Sequence, residues 1–213
     1  MIPDFELDKV RLFNCDCMDF MADIPDNHYD LAIVDPPYSI EVNHNMGRRK
    51  GNPSSEYKKV NWDNTPPDKA YFDELFRISK NQIIWGANHF MDLICRRSSC
   101  WIVWDKLFSE DVSFASVELA FTSFTSVTKR VRKSSARHNG IHPTQKPIQL
   151  YKWLLTNYAK QGDKIFDSHG GSFSSACAAL DMRFEFDGCE LDKDYFDDAV
   201  ERIKNHSQLY LRF

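Results

Sequence analysis

The sequence has no apolar run long enough to cross a membrane. Its 213 residues are 42% hydrophobic and 27% charged, and no stretch approaches the roughly 18–20 apolar residues that a membrane helix needs. The first six residues also lack the basic and apolar regions of a signal peptide. These absences predict a cytoplasmic protein without membrane contact, and the length allows one domain with a sizeable core.

A metal-binding or disulfide pattern is also missing. The spacings of the six cysteines match no zinc motif, and thiols stay reduced in the cytoplasm. His138 and His142 are four residues apart, but Pro143 argues against a helix that contains both. We therefore expect reduced cysteines and no bound metal.

The chain lacks an overall excess of positive charge, although its basic residues are clustered. The formal net charge is -4, which is not typical of a protein that binds nucleic acid over its whole surface. Each basic cluster could contact phosphates or could be an ordinary solvated surface, and the sequence leaves both open. The clusters consist of Arg48, Arg49, Lys50, Lys58 and Lys59 and of Lys129, Arg130, Arg132, Lys133 and Arg137.

One short stretch joins a buried strand to a stiff acidic turn. Residues 31–34 are apolar, and Pro36 and Pro37 cannot donate to a sheet ladder, so the strand must end there. Ionised Asp35 and the Pro36 carbonyl only accept hydrogen bonds, which suits an amino group with two hydrogens. Tyr38 adds a flat ring on which a heterocycle can stack. The stretch therefore predicts contact with the exocyclic amine of a base, although a plain strand-ending turn is the alternative.

A second stretch predicts a nucleotide-type cofactor site. Residues 164–167 are typical of a strand, 168–172 of a loop of small residues, and 173–182 of a helix. Glycines allow close backbone approach, and a helix N-terminus supplies oriented N–H groups. Glu190 ends the next predicted strand, about twenty residues after the loop, where an acidic side chain can bind ribose hydroxyls.

Three motifs together resemble a known family. The sequence Asp-Pro-Pro-Tyr at 35–38, the sequence His-Pro-Thr-Gln-Lys-Pro at 142–147 and the loop at 167–175 resemble motifs of DNA amino-methyltransferases. These enzymes transfer a methyl group from S-adenosylmethionine to adenine N6 or cytosine N4. Because the catalytic turn precedes the cofactor loop, the order resembles the permuted class often called beta. The likeness runs from about Asn14 to Asn205.

The resemblance implies the fold and its division. We expect an α/β, Rossmann-like methyltransferase fold with a seven-stranded, mostly parallel sheet and helices on both faces. Residues 1–213 would form a single methyltransferase domain. Its catalytic half would be 10–128 and its cofactor-binding half 142–205, with basic or loop insertions at 39–67 and 105–140.

The resemblance also implies roles for individual residues, with S-adenosylmethionine as cofactor and DNA as partner; such enzymes are often dimeric, which allows a homodimer. The catalytic turn would be formed by Asp35, Pro36, Pro37 and Tyr38. The residues implied to bind the cofactor are Asp16, Lys146, Asp167, His169, Gly171, Ser172 and Glu190. The residues implied to contact DNA are Arg48, Arg49, Lys50, Lys129, Arg130, Arg132, Lys133 and Arg137.

Two alternatives stay open at this point. A turn that begins with Asp resembles the adenine enzymes, whereas cytosine N4 enzymes more often begin with Ser. In the family loop Asp-Pro-Phe-x-Gly-Ser-Gly-Thr-Thr, His169 takes the aromatic position and Phe173 replaces a glycine. The Phe173 side chain could crowd the cofactor and leave an impaired DNA-binding or partner subunit, or it could turn inward. Glu118, in a predicted strand, could face solvent.

Overall fold

The structure, a computed structural model, describes residues 1–38, 66–107, 115–134, 140–142 and 144–210. Most of the predicted insertion at 39–67 lies outside this part of the chain. The candidate DNA contacts outside it are Arg48, Arg49, Lys50 and Arg137.

Nine strands and six α-helices occur within the described ranges. The strands are β1 Phe5–Leu7, β2 Val10–Phe13, β3 Tyr29–Val34, β4 Ser79–Trp85, β5 Trp101–Asp105, β6 Val117–Thr122, β7 Lys129–Arg132, β8 Lys164–Asp167 and β9 Glu185–Cys189. The helices are α1 Cys17–Ala22, α2 Lys69–Ile78, α3 Met91–Ile94, α4 Ile148–Tyr158, α5 Ser174–Met182 and α6 Lys193–Tyr210, and Ala87–His89 forms a short 3-10 helix.

All nine strands form one sheet in the order β1-β2-β9-β8-β3-β4-β6-β5-β7. The five consecutive strands from β2 to β4 in this order run parallel. Strand β6 is antiparallel to both of its neighbours, and β7 is parallel to β5. The carboxyl ends of five adjacent strands therefore lie at one edge of the sheet, as in other α/β proteins.

The sheet is wider than the seven strands predicted from the sequence. The added strands are β1, which has only three residues, and β7, whose residues are mostly basic. Strand β1 alternates apolar and polar residues but is too short for a recognisable pattern, and β7 has a single apolar residue. Strands β6 and β7 lie within the segment 105–140; the sequence predicted β6 as a strand but did not predict β7.

Helices cover both faces of the sheet, as predicted. Alternate residues of a strand point to opposite faces, and β3 shows this clearly. Leu31 and Ile33 join a core shared with α4, α5 and α6, whereas Ala32 and Val34 join a core shared with α1, α2 and α3. Burial on both faces explains why residues 31–34 of β3 are continuously apolar rather than alternating.

The remaining composition-based expectations can be compared with the described residues. All six cysteines are free thiols. Within the described ranges, no cluster of His, Cys, Asp and Glu could hold a metal ion. None of the helices found there has both the length and the apolar content to span a bilayer.

Candidate active site

Four carboxylates follow one another along the carboxyl edge of the sheet. In sheet order, Asp16 comes three residues after β2, Glu190 directly follows β9, Asp167 is the last residue of β8, and Asp35 directly follows β3. These strands are hydrogen-bonded neighbours. The topology therefore brings together acidic residues that are up to 174 positions apart in the sequence.

Asp35 lies in the turn after β3, here called the acidic corner, where a cation balances its negative charge. Its carboxylate forms an ion pair with Lys146 and accepts a hydrogen bond from the Tyr38 hydroxyl. The Lys146 Nζ atom is also 3.2 Å from a Glu118 oxygen, and Lys106 Nζ is 2.6 Å from the other oxygen of Glu118. Asp35, Lys146, Glu118 and Lys106 thus form a chain of alternating charges, which we call the charge chain.

Lys146 and Glu118 are held in their ionised forms by their neighbours in the charge chain. Lys146 is 5% exposed. Burial alone would lower the pKa of Lys146, but Asp35 and Glu118 outweigh burial and raise that pKa above its ordinary value. Burial would likewise raise the pKa of Glu118, but Lys146 and Lys106 hold it below its ordinary value. Lys146 is therefore a cation and Glu118 an anion at neutral pH.

Glu118 does not have the solvent-facing position that the sequence allowed. Its side chain is 22% exposed, and its carboxylate lies between two ammonium groups. A single acidic residue among the apolar residues of β6 was the signal for this role, because a charge in such a strand needs a partner when it is buried. Sequence reasoning missed Glu118, and it placed Lys146 near the cofactor rather than on Asp35.

Tyr38 packs against the segment that follows β4. Its ring is stacked on the His89 ring, with 5.4 Å between centroids and an interplanar angle of 14°. Gly86 has a φ of +63°, and a Cβ atom there would overlap the Tyr38 ring. Only glycine suits both the backbone and this close contact. Pro36 is buried and Pro37 is partly buried, so the turn is fixed on several sides.

Asp167 and Glu190 are held by neutral donors rather than by cations. Asp167 is 1% exposed and accepts hydrogen bonds from Ser175 Oγ at 2.6 Å and from the backbone N–H of His169 at 3.2 Å. Burial raises the pKa of Asp167 to about 7. Glu190 accepts from the backbone N–H groups of Gly171 at 2.7 Å and Asp192 at 2.9 Å, and burial raises its pKa too.

Phe173 turns inward, away from the surface of the loop. It is 0% exposed, and its ring lies where a Cβ atom on Gly170 or Gly188 would be. The ring packs edge-on against Phe186 and Phe196 in the core. Its φ of +49° is one that non-glycine residues rarely adopt. The side chain is therefore part of the core, which corresponds to the inward alternative left open by the sequence.

The other residues of the loop are fixed by neighbouring elements. His169 Nδ1 is 2.8 Å from Ser168 Oγ, and burial lowers the pKa of His169 to about 4, so its ring is neutral at pH 7. The carbonyl of Ser172 accepts a hydrogen bond of 2.5 Å from Arg202. Asp16 is exposed and caps α1, where it accepts from the Met18 N–H at 2.7 Å.

The segment 142–147 contacts both the loop and the acidic corner. The His142 ring is 3.5 Å from the point where a Cβ atom on Gly171 would lie. Four residues later, Lys146 is paired with Asp35. The acidic corner and the glycine loop are therefore neighbours, because His142 contacts the loop and Lys146 contacts Asp35.

Four of the candidate DNA contacts lie on β7 or directly after it. Arg132 is paired with Asp105 at 3.0 Å, and Lys129 Nζ is 5.1 Å from the centroid of the Tyr158 ring. Arg130 is exposed and Lys133 is partly buried. These residues lie at the outer edge of the sheet, at the opposite end from β1.

Comparison with known proteins identifies the family. A family model described as DNA methylase, for N6 and N4 enzymes, matches residues 45–201. The chain belongs to this DNA methylase family. The match covers more than half of the chain, so the methylase is a DNA methyltransferase of this family. The cofactor of the family is S-adenosylmethionine.

Relatives and solved structures agree with this assignment. The methylase is 23% identical to the type II methyltransferase M2.MboI of Moraxella bovis, over 99% of this chain and 96% of the relative. It is also 23% identical to the type II methyltransferase M.BglII of Bacillus subtilis, over 90% of this chain and 68% of that relative. Its fold is similar to that of the M1.HpyAVI–SAM complex, with a TM-score of 0.61, 15% identity and coverages of 91% and 98%. The fold is also similar to that of the PvuII DNA methyltransferase, described as cytosine-N4-specific. The TM-score is 0.66 and the identity 13%, and the match covers 96% of this chain and 93% of the PvuII enzyme.

The residues at the carboxyl ends of β8 and β9, a region that we call the crevice, fit the family cofactor. S-adenosylmethionine carries a sulfonium, an ammonium and a carboxylate, and therefore has a net positive charge. Among the described residues, Asp167 and Glu190 form no ion pair, so a bound cation would not have to displace another one. The chemistry and position of these two carboxylates suit the cofactor.

Proposed function

We propose that this methyltransferase transfers the methyl group to the N6 amine of a specific adenine in DNA. The observation that carries the proposal is the position of Asp35. Its carboxylate is fixed by Lys146 and Tyr38 at the end of β3, beside the glycine loop. A DNA methyltransferase of this family needs an acceptor at this point, and Asp rather than Ser favours adenine.

The corner would act by accepting hydrogen bonds from the target amine. Asp35 and the Pro36 carbonyl would each accept one N–H, which draws the nitrogen lone pair out of the ring and directs it outward. The rigid turn holds both acceptors in place before the base arrives, so little reorganisation is needed. Tyr38 would contact the face of the base.

The crevice would orient the methyl donor. S-adenosylmethionine, when bound, supplies a methyl group on a positively charged sulfur. Glu190 would bind its ribose hydroxyls, Asp16 would contact its adenine ring, and Asp167 with the backbone of Gly171 would face its amino-acid part. His169 and Ser172 would shape the loop, and we now propose Lys146 as a ligand of Asp35 in addition to its predicted place near the cofactor.

The target base must leave the duplex to reach the corner, because its amine is inaccessible inside the helix. The basic residues on and after β7 would contact the phosphates, together with Arg48, Arg49, Lys50 and Arg137. Phosphate contacts position the duplex without reading its sequence. We also retain as proposals the division into halves 10–128 and 142–205, a cytoplasmic location and a homodimer.

Cytosine N4 is the second candidate acceptor. It is favoured by the similarity in fold to an enzyme described as cytosine-N4-specific. An impaired subunit is less well supported, because the Phe173 side chain is directed into the core.

The product decides between these acceptors. The purified chain is incubated with mixed genomic DNA and S-adenosylmethionine, and the digested nucleosides are separated by mass spectrometry. We expect N6-methyladenine. N4-methylcytosine would overturn the adenine assignment, and unmodified DNA together with no cofactor binding at millimolar concentration would support the impaired subunit.

A further inference from the structure

We propose that Glu118 is a positioning residue for methyl transfer: by binding Lys146, it keeps Asp35 available to accept the target amine. The inference rests on the proposed function of Asp35. It concerns a residue outside the Asp-Pro-Pro-Tyr turn, on a strand that is antiparallel to its neighbours.

The first step is the occupancy of the Asp35 carboxylate. One oxygen accepts from Tyr38 and the other from Lys146. A carboxylate has about four lone-pair sites, so each oxygen can accept one more hydrogen bond. An ammonium group draws negative charge from the oxygen that it contacts, which weakens that oxygen as an acceptor for a neutral amine. How strongly Lys146 binds Asp35 therefore affects how well Asp35 binds the base.

The second step is the competition for Lys146. A Glu118 oxygen lies 3.2 Å from Lys146 Nζ, so Asp35 and Glu118 share one ammonium group. Lys146 also lies 5.4 Å from the centroid of the Trp85 ring, which leaves it little freedom to move elsewhere. When Glu118 is neutral, the whole positive charge of Lys146 acts on Asp35.

The third step is the balance of charge. The charge chain contains two carboxylates and two ammonium groups, so its net charge is zero. Removal of the Glu118 charge leaves two ammonium groups and one carboxylate in a largely buried place. Lys106, 2.6 Å from Glu118, would then lose its partner and add to the positive potential at Asp35.

The test compares Glu118→Gln with Glu118→Asp. The measured quantities are the single-turnover rate of tritiated methyl transfer to DNA, the cofactor Kd from equilibrium dialysis, and the melting temperature. For Glu118→Gln we expect a rate lowered about tenfold or more, with a Kd within about twofold of the wild type. Glu118→Asp keeps the charge and should recover most of the rate, which a purely steric role would not explain.

A matched control and a double variant sharpen the result. Glu74→Gln removes a carboxylate that is paired with Arg77 at 2.6 Å and is 29% exposed, and it should keep the full rate. Because Glu118 acts through Lys146, the double variant Glu118→Gln/Lys146→Met should be no slower than Lys146→Met. If Lys146→Met does not fold, the two Glu118 variants decide the question alone.

Three results would overturn the role of Glu118. They are a normal rate in Glu118→Gln, a loss of rate that only follows a loss of cofactor binding, and additive effects in the double variant. Asp35→Ala separates this from the proposed function. Activity in Asp35→Ala contradicts the role of Asp35 itself, whereas an inactive Asp35→Ala beside a fully active Glu118→Gln contradicts only the present inference.

Discussion

The acidic corner and the cofactor crevice hold their carboxylates in opposite ways. Asp35 is paired with an ammonium group, whereas Asp167 and Glu190 accept only N–H and O–H groups among their described contacts. The corner is thus nearly neutral, whereas the crevice carboxylates have no cationic partner among the described residues. This difference matches the two ligands of the family, since a base amine is neutral and S-adenosylmethionine is a cation.

The largest expected effect comes from removing the carboxylate of the acidic corner, which tests the difference between the corner and the crevice. Asp35→Ala should lower methyl transfer on the order of a thousandfold, because a preorganised acceptor at the reacting nitrogen is lost. The cofactor Kd should stay within about twofold, because the crevice keeps its own carboxylates. Rates are measured by methyl incorporation and the Kd by dialysis.

The control for this variant is Asp73→Ala, which removes an exposed carboxylate paired with Lys69 on α2. It should keep full activity. Near-normal transfer by Asp35→Ala would mean that the corner is not the place of reaction.

The second prediction concerns the pH dependence of stability. The pKa of Asp167 is about 7 in the folded protein and about 3.9 in an unfolded chain. The folded state therefore binds the proton more tightly, so the free energy of unfolding decreases as pH rises from 4 to 7. The loss from this group is roughly 3–4 kcal/mol. Asp167→Asn should remove this pH-dependent loss. In urea titrations, the free energy of unfolding of the variant relative to the wild type should therefore be higher at pH 8 than at pH 5.

Asp187 is the contrasting buried carboxylate, one strand away and paired with Arg11 at 2.7 Å. Asp187→Asn loses that ion pair and should destabilise the fold at pH 8. An equal difference between Asp167→Asn and the wild type at both pH values would contradict the burial of an uncompensated charge in the crevice.

The third prediction tests the aromatic side chain behind the crevice. Phe173→Ala should lower the free energy of unfolding by about 3–5 kcal/mol, because it leaves a cavity. Phe173→Gly should be about 1–2 kcal/mol more stable than Phe173→Ala, because glycine tolerates the positive φ. Denaturant titration measures both. Tighter cofactor binding by Phe173→Gly would show that the phenylalanine obstructs the crevice after all.

The smallest expected effect is the loss of one charge from the crevice. Glu190→Gln should weaken cofactor binding about tenfold, since a hydrogen bond to a charged group contributes about 1.5 kcal/mol or more. Glu185→Gln, at the other end of β9 and exposed, is the control and should bind normally. Equal Kd values for the two variants would remove Glu190 from the proposed cofactor site.

The sequence predicted the features that depend on local chain chemistry. The end of β3 before two prolines, the α/β class and the strand–loop–helix at 164–182 follow from local residue patterns, and they agree with the structure. The family resemblance is confirmed by the family model. The role of each site residue and the choice of adenine stay predictions.

The remaining features depend on contacts between distant parts of the chain. Glu118 meets Lys146 because β6 is placed antiparallel beside β4, which no local pattern of β6 reveals. The inward direction of Phe173 depends on the space above Gly170, in the loop after β8, and above Gly188, in β9. Strand β7 was missed because three of its four residues are basic.

The basic edge of β7 has one more consequence. On its far side from β5, this strand pairs with no other strand among the described residues, and its backbone groups could in principle pair with a foreign strand. Two copies of this edge would bring cationic side chains face to face. This repulsion would disfavour pairing between the β7 edges of two copies of the chain.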